Sequence, residues 1–326
     1  MSSSGIQFDS TAKTKPGVVA TIGVFDGVHR GHQGLISSVR KRAGVLGVDS
    51  MVITFDPHPV VVLAAHLPPQ RLGSRPVEER WLEATGVDHA WFIPFSRPMS
   101  EWPPEQFLDY LTEHLDLHEL WIGYDFRFGK GRAGDAAFLE ARSLSAGFTL
   151  HVFDAVASER GSGQGQPGVG RIFSSTWVRE LLGEGNIRSA NRILGHPFEI
   201  QGEVIRGRGI GTSDLVPTAN LDLRAEQVLP KFGIYVGWAA LGSDSEPEWL
   251  PAVANVGIRP TVEESGRPLV EVHVLDWNKS VYGQEMRFRF GDWVRAEEKY
   301  EGIAELRAAI DRDLDWARSW FSSRTD

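Results

Sequence analysis

Two histidines, His29 and His32, lie three residues apart between an apolar run, Val18-Val19-Ala20, and a segment with the pattern of a helix. On a first helical turn, residues i and i+3 share a face, so both imidazoles can contact one ligand. The helix start also offers free backbone N–H groups and the positive end of the helix dipole. The stretch therefore predicts a polyphosphate site in which the histidines stabilise charge during group transfer.

A histidine pair near a strand end is often structural, and glycine-containing turns also occur without ligands. Here the strand, the Phe25-Asp26-Gly27 turn and the His-x-Gly-His spacing occur together, which favours a functional site. The stretch resembles the signature of the nucleotidyltransferase superfamily, in which the histidines bind the phosphates of ATP. Because class I aminoacyl-tRNA synthetases share this signature, it indicates a superfamily and not one enzyme.

The segments around this site predict alternating strands and helices. Apolar runs predict buried strands at residues 18–24, 51–55, 90–93, 120–123 and 149–153. Helical patterns lie between them at residues 33–42, 78–84 and 103–115. Strand–helix–strand units of this kind form right-handed crossovers and a parallel sheet, whose ligands bind at the carboxyl ends of the strands. We predict an α/β, Rossmann-like domain with the histidine stretch at that edge.

Two further stretches directly follow predicted strands, and a third opens a later helix. Asp56-Pro57-His58-Pro59 reads as a rigid turn, which could equally be a simple strand stop. The loop at residues 123–134 combines aromatic rings, three cations and glycines, which suits stacking and phosphate binding, although a solvated basic turn has the same composition. Ser174-Ser175-Thr176 is typical of a helix N-cap, and Arg179, one turn in, could reach a phosphate at that helix start.

The second half of the chain has a different pattern. Short apolar segments at residues 198–205, 234–239, 252–256, 270–275 and 286–290 predict a closed antiparallel β-barrel. A terminal helix follows, with an apolar stripe through Ile303, Leu306, Ile310 and Leu314. Between the first and second of these segments, the glycine-containing loop at residues 206–211 and the Pro217-Thr218-Ala219-Asn220 sequence could bind phosphates and Mg²⁺.

Glu271 and His273 alternate with valines, so both lie on one side of a predicted strand. This side could carry a site or simply face solvent. The chain has 326 residues, a net charge of −9 and no cysteine. These values indicate a two-domain protein without disulfides or thiolate metal sites. The sequence has no stripe of basic residues of the kind that nucleic-acid-binding proteins carry, so we expect no nucleic-acid partner. With no apolar leader or membrane-length run, we expect a soluble cytoplasmic protein without a membrane partner, and self-association into a homo-oligomer stays open.

Taken together, these stretches resemble the bacterial bifunctional riboflavin kinase and FMN adenylyltransferase (FAD synthetase) family. The resemblance covers nearly the whole chain after residue 17, and the motifs occur in the family's order. Leu194-Gly195-His196-Pro197-Phe198 resembles the family's entry to its barrel. The resemblance implies an FMN adenylyltransferase domain at residues 1–187 and a riboflavin kinase domain at residues 188–326, with ATP as co-substrate, Mg²⁺ as cofactor, and riboflavin, FMN and FAD as substrates or products.

For the first domain the resemblance implies attack of the FMN phosphate on the α-phosphorus of ATP, with pyrophosphate leaving. His29, His32 and Arg179 would stabilise the phosphate charge. ATP binding is implied for Gly23, Phe25, Asp26, Gly27, Ser174, Ser175 and Thr176. Flavin binding is implied for Pro57, His58, Asp125, Phe126, Arg127 and Phe128.

For the barrel the resemblance implies that Glu271 is the base for the ribityl hydroxyl and that Thr218 and Asn220 hold Mg²⁺. ATP or flavin binding is implied for Gly207, Gly211, Thr218, Asn220 and Arg295. Three stretches depart from the family pattern: Asp214-Leu215-Val216 replaces Leu-Gly-Phe, Gly257-Ile258 replaces Gly-Thr, and Arg208 stands where an acidic residue is common. Two alternatives therefore stay open: an adenylyltransferase with a flavin-binding but inefficient barrel, and a flavin-binding regulator without turnover. A tRNA synthetase-like protein is disfavoured by the acidic charge balance.

Overall fold

The computed structural model describes residues 17–64, 71–158, 170–206, 216–223, 227–242, 247–258, 268–277, 279 and 281–324. The chain divides into two compact units. The first runs to Arg71 and resumes with Glu78–Ser175; the second comprises Leu72–Val77 and the chain from Thr176 onward. The exact domain ranges predicted above, residues 1–187 and 188–326, stay a prediction.

The first unit contains a parallel sheet. Its described strands are β1 (Val18–Ile22), β2 (Asp49–Phe55), β3 (His89–Ile93), β4 (Leu117–Gly123) and β5 (Thr149–Phe153). Their order in the sheet is β3-β2-β1-β4-β5, and every neighbouring pair is parallel. In this order the connections reverse direction between β1 and β4. Such a switch point opens a crevice at the carboxyl edge of the sheet, where ligands of this architecture bind.

Helices connect these strands. They are α1 (Arg30–Leu46), α2 (Pro59–Leu63), α3 (Arg75–Glu83), α4 (Arg97–Ser100), α5 (Pro104–His114) and α6 (Ala136–Ala146). The core on one side of the sheet packs Ile22, Ile53 and Ile122 against Phe107 and Leu111 of α5. Helix α1 contacts β1, β2 and β4, so the central strand is held firmly just before the histidine stretch.

The second unit begins with two helices. Helix α7 spans Ser175–Glu184, its first residue still in the first unit, and α8 spans Ile187–Leu194. The strands that follow are β6 (Glu199–Ile205), β7 (Ala219–Leu223), β8 (Gly233–Leu241), β9 (Leu250–Ile258), β10 (Pro268–Val274) and β11 (Glu285–Arg295). They close into an antiparallel barrel in the order β10-β7-β6-β11-β8-β9. Helix α9 (Ile303–Ser322) packs Leu314 and Trp320 against Val236 and Val253 on the outside of the barrel.

The predicted fold class is confirmed: a parallel α/β sheet, an antiparallel barrel and a terminal helix. Several short elements were not predicted, namely α2, α4, α6, α8 and β7. Helix α8 has only eight residues, but it is capped at both ends, because the Asn186 side chain accepts from the Ser189 N–H and Gly195 is left-handed at φ 80°. Its apolar pattern covers only two turns, which is too short to predict a helix from the sequence.

Candidate functional site

The turn between β1 and α1 is tight and strained. Gly27 has a φ of 80°, and Val28 has a φ of 39°, which is unusual for a β-branched residue. The Val28 N–H donates to the Phe25 carbonyl over 2.9 Å, and the Gln33 side chain donates to the Val28 carbonyl over 2.8 Å. These bonds and the complete burial of Val28 hold the strained backbone in place. Such strain commonly occurs at binding and catalytic sites.

The two imidazoles are brought together at the start of α1. Their ring centroids are 3.6 Å apart with an interplanar angle of 19°, and the Phe25 ring meets His32 edge-on at 5.0 Å. His29 is the N-cap residue of α1, and its Nδ1 accepts from the backbone N–H of His32 over 3.4 Å. Since Nδ1 accepts, a neutral His29 carries its proton on Nε2.

His32 is held in its neutral form. Burial lowers the pKa of His32 well below 6.5, and the nearby His29 lowers it further. Its Nδ1 is buried and has no hydrogen-bond partner in the described part of the chain. A neutral imidazole can donate one N–H to a phosphate without bringing a fixed charge into the site.

We expect NMR titration to show this shift. The folded-state pKa of His32 is lowered, so the unfolded chain takes up the proton first as the pH falls. The contribution of His32 to folding stability is therefore complete above pH 6.5, the unfolded value, and is lost as the pH falls below it. The imidazole resonances can be assigned by comparison with His32→Gln, and a His32 midpoint at or above 6.5 would contradict this account.

Gly31 leaves room for the His29 ring. A methyl group added at Gly31 would lie 3.1 Å from both Cε1 and Nδ1 of His29 and 3.6 Å from Cβ of Phe173. Gly31→Ala should displace the His29 ring by a few tenths of an ångström. We expect this displacement to reduce the rate of group transfer at the site formed by His29 and His32 by about threefold to tenfold. Gly44→Ala is the matched control in the same helix, because no atom lies within 4 Å of its added methyl group. Equal effects in steady-state assays of the two variants would exclude this role of Gly31.

The predicted ATP residues of the first unit meet at this turn. The Ser175 hydroxyl, at the start of α7, donates to the Asp26 carbonyl over 2.8 Å, across 149 positions of sequence. Ser174 lies next to it, and Gly23 continues from β1 with its N–H bonded to the Ile53 carbonyl over 3.1 Å. Thr176 and Arg179 belong to the second unit, where Thr176 is exposed and Arg179 half-buried on α7.

The Asp56 turn after β2 contains a buried ionic network that sequence reasoning missed. The buried guanidinium of Arg71 binds Asp56 over 3.2 Å and Glu78 over 2.6 Å. Burial raises the pKa of Glu78, against the opposing effect of Arg71. His58 caps α2 by accepting from the Val60 N–H over 3.0 Å, beside Pro57. A single arginine shortly before a helix does not predict such a network from the sequence.

The loop after β4 divides between surface and core. Asp125 and Arg127 are exposed and Phe126 is half-buried, so all three are accessible. Phe128 is 8% exposed and lies in the core, where its ring centroid is 5.6 Å from that of Phe107. Phe128 therefore packs in the core of this unit, and its predicted contact with a flavin stays a prediction, since aromatic rings serve both packing and ligand stacking.

On the barrel, Glu271 of β10 lies between two asparagines on neighbouring strands. In the strand register it is opposite Asn220 of β7 on one side and Asn255 of β9 on the other. Val270 and Val272 are buried inside the barrel, so the alternating Glu271 and the two asparagines lie on its outer face. Sequence reasoning missed Asn255, although a single polar residue within Ala254-Asn255-Val256 was a usable signal.

The donors beside Glu271 suit Mg²⁺. Thr218 and Asn220 offer a hydroxyl and an amide oxygen, and the His273 ring bonds the Pro217 carbonyl over 2.8 Å, which fixes the approach to them. Across the described residues, no group of three His, Cys, Asp or Glu side chains could hold a metal ion. Mg²⁺ commonly uses few protein ligands and completes its shell with substrate phosphates and water, so this set fits.

The other barrel residues predicted to bind ATP or flavin, Arg295, Gly207 and Gly211, stay predictions. Arg295 is the last residue of β11, and Asp313 of α9 accepts from its guanidinium at two points, over 2.8 and 2.7 Å. The Nε and one terminal nitrogen of Arg295 therefore donate to Asp313 in this structure. Gly207, Gly211 and the departures at Arg208 and residues 214–215 lie outside the described residues.

Family comparisons match the two halves of the chain separately. The FAD synthetase model matches residues 11–163, and the riboflavin kinase model matches residues 194–321. A bifunctional riboflavin kinase/FMN adenylyltransferase of Escherichia coli (strain K12) is 37% identical over 306 residues, which cover 94% of this chain and 93% of that protein. The chain belongs to the bifunctional riboflavin kinase/FMN adenylyltransferase family.

Other members of this family are also similar. The protein of the same description from Pseudomonas fluorescens is 34% identical and that from Bacillus subtilis 31%, each with at least 93% coverage of both chains. A solved structure from Streptococcus pneumoniae, described as a macrolide-efflux protein, has a TM-score of 0.75 at 26% identity and covers 94% of this chain and 95% of its own. Among the residues described for this family member, no helix has the length and apolar character needed to cross a membrane.

Proposed function

We propose that this chain makes FMN from riboflavin and then FAD from FMN, using ATP in both steps. The observation that carries the proposal is that two family models, one for each activity, match separate halves of one chain. The stacked histidines at the switch point of the sheet and Glu271 on the barrel supply chemistry of the required kinds. We further propose that the enzyme works in the cytoplasm on these small molecules, without a nucleic-acid or membrane partner, and leave its oligomeric state open.

In the first domain, a phosphate oxygen of FMN attacks the α-phosphorus of ATP and the bond to pyrophosphate breaks. We assign His29 and His32 to the phosphates, where Nε2–H of His29 and one N–H of neutral His32 donate to the charge that develops. Arg179 adds a cationic donor in this proposal. Gly23, Phe25, Asp26, Gly27, Ser174, Ser175 and Thr176 are proposed to bind ATP. Donors placed before the reaction cost little reorganisation when charge appears, which is the main source of catalysis here.

The flavin of the first domain is proposed to lie against the turn with Pro57 and His58 and the loop with Asp125, Phe126 and Arg127. The half-buried Phe126 ring provides a face for stacking, and the exposed Asp125 and Arg127 provide polar contacts. Phe128, whose ring centroid lies 5.5 Å from that of Phe126, is proposed as a further flavin contact.

In the barrel, the carboxylate of Glu271 takes the proton of the terminal ribityl hydroxyl as that oxygen attacks the γ-phosphorus of ATP and ADP leaves. Thr218 and Asn220 would hold Mg²⁺, which neutralises phosphate charge when it is bound. Gly207, Gly211 and Arg295 are proposed as further ATP or flavin contacts. Transfer of this kind depends mainly on positioning and electrostatics.

The proposal is tested by incubating purified protein with ATP and Mg²⁺, first with riboflavin and then with FMN, and separating the products by chromatography. FMN and FAD from riboflavin, and FAD from FMN, are the expected products. FAD from FMN without any FMN from riboflavin would indicate an adenylyltransferase with an inactive barrel. Binding of flavin without either product would indicate a carrier or regulator.

A further inference from the structure

Asn255 occupies an unusual place on the barrel. It is the polar residue in a run of β9 where both neighbours, Ala254 and Val256, are fully buried. Its register partner on one side is Glu271 of β10, and on the other side it is Ile234 of β8. Side chains of register partners lie on the same face with Cβ atoms about 4.5–5.5 Å apart. The Asn255 amide is therefore next to the carboxylate proposed as the catalytic base.

The side-chain oxygen of Asn255 has no hydrogen-bond partner within the described part of the chain, although that atom is buried. Buried polar atoms in native proteins are nearly always paired, and an exception needs an explanation. The register neighbours do not provide one, because an ionised Glu271 is an acceptor and Ile234 is apolar. Among the residues that the structure describes, the oxygen thus has no donor, and it lies next to the site where a hydroxyl is proposed to react.

The substrate proposed for this domain carries suitable donors. Riboflavin has a ribityl chain with several secondary hydroxyls before the terminal hydroxyl that receives the phosphate. A hydroxyl can donate one hydrogen bond and still accept others, so it satisfies an amide oxygen. Asn220, proposed to hold Mg²⁺, lies on the far side of Glu271 from Asn255. The nucleotide and Mg²⁺ are therefore expected on the Asn220 side of Glu271, and the ribityl chain on the Asn255 side.

We propose that Asn255 binds the ribityl chain, its side-chain oxygen accepting a hydrogen bond from a secondary hydroxyl and thereby placing the terminal hydroxyl at Glu271. The inference rests on the riboflavin kinase activity proposed above and adds a specificity-determining residue to it. A site built to pair a substrate hydroxyl discriminates strongly against analogues that lack it. Asn255 thus selects flavins with a polyol side chain over flavins with an alkyl group at that position.

The test compares Asn255→Ala with Asp222→Ala, a polar truncation at an exposed residue on the same outer face, two positions beyond Asn220. Riboflavin phosphorylation is measured with riboflavin as substrate and lumiflavin, which has a methyl group in place of the ribityl chain, as competitive inhibitor. For Asn255→Ala we expect a rise of about tenfold in the KM for riboflavin, as for the loss of one hydrogen bond. The Ki of lumiflavin and the KM for MgATP should stay within about twofold, and Asp222→Ala should resemble the wild type.

Asn255→Asp provides a second measurement with the same side-chain shape. It keeps an acceptor oxygen, so the KM for riboflavin should stay within about threefold of the wild type. FAD formation from FMN in the same preparations reports that each variant is intact.

Three results would overturn the assignment: an unchanged KM for riboflavin in Asn255→Ala, equal weakening of riboflavin and lumiflavin, or a change in the KM for MgATP instead. A wild-type protein that does not phosphorylate riboflavin would refute the proposed kinase activity itself, and the assignment of Asn255 with it. Active wild-type protein together with an unaffected Asn255→Ala variant would refute the assignment alone.

Discussion

Replacing His29 or His32 by alanine is expected to abolish FAD formation from FMN and ATP while riboflavin phosphorylation continues. Removal of one donor to developing phosphate charge reduces turnover by about 10²–10³-fold. Because the two rings stack with centroids 3.6 Å apart, each replacement also removes the support of the other ring. The single variants should therefore lose nearly as much activity as the double variant. Initial rates of both reactions in each purified variant provide the measurement.

His114→Ala is a suitable control for these variants. His114 is an exposed histidine at the end of α5 in the same unit, outside the proposed site, and its loss should leave both reactions unchanged. Loss of both activities together in His29→Ala would argue against separate sites. Full FAD formation by either variant would remove that histidine from the mechanism.

Glu271→Gln is expected to show the opposite pattern. The amide keeps the shape of the side chain but cannot take a proton, so riboflavin phosphorylation should fall by about 10²–10⁴-fold. FAD formation from supplied FMN should be unchanged, because His29 and His32 are untouched. Steady-state rates with riboflavin and with FMN test the two halves of this prediction in one preparation.

Glu203→Gln is the matched control for this second prediction, since Glu203 is an exposed carboxylate on β6 of the same barrel. It should phosphorylate riboflavin at the wild-type rate. If Glu271→Gln also kept that rate, Glu271 would not be the base, and the row formed by Asn220, Glu271 and Asn255 would require a different explanation.

Local patterns were sufficient to predict the classes of both halves of the fold. Apolar runs of strand length alternate with helical segments in the first half, and short apolar segments follow one another in the second. The spacing of His29 and His32 also predicted that their rings would lie together, because residues three apart meet at a helix start whatever the rest of the chain does. Predictions of this kind need only a few consecutive residues.

The features that were missed depend on contacts between distant segments. The row of Asn220, Glu271 and Asn255 exists only through the register of three strands, which a single sequence does not specify. The pairing of Arg71 with Asp56 and Glu78 likewise depends on how separate segments pack.

Isotope labelling shows directly whether one chain performs two chemically distinct transfers from ATP. Purified protein is supplied with riboflavin, Mg²⁺ and ATP labelled at either the α- or the γ-phosphorus, and the flavins are separated over time. With γ-label, the account predicts radioactivity first in FMN and then in FAD and pyrophosphate. With α-label, it predicts radioactivity in FAD and none in FMN. Flavins that stay unlabelled from both forms of ATP would contradict the account.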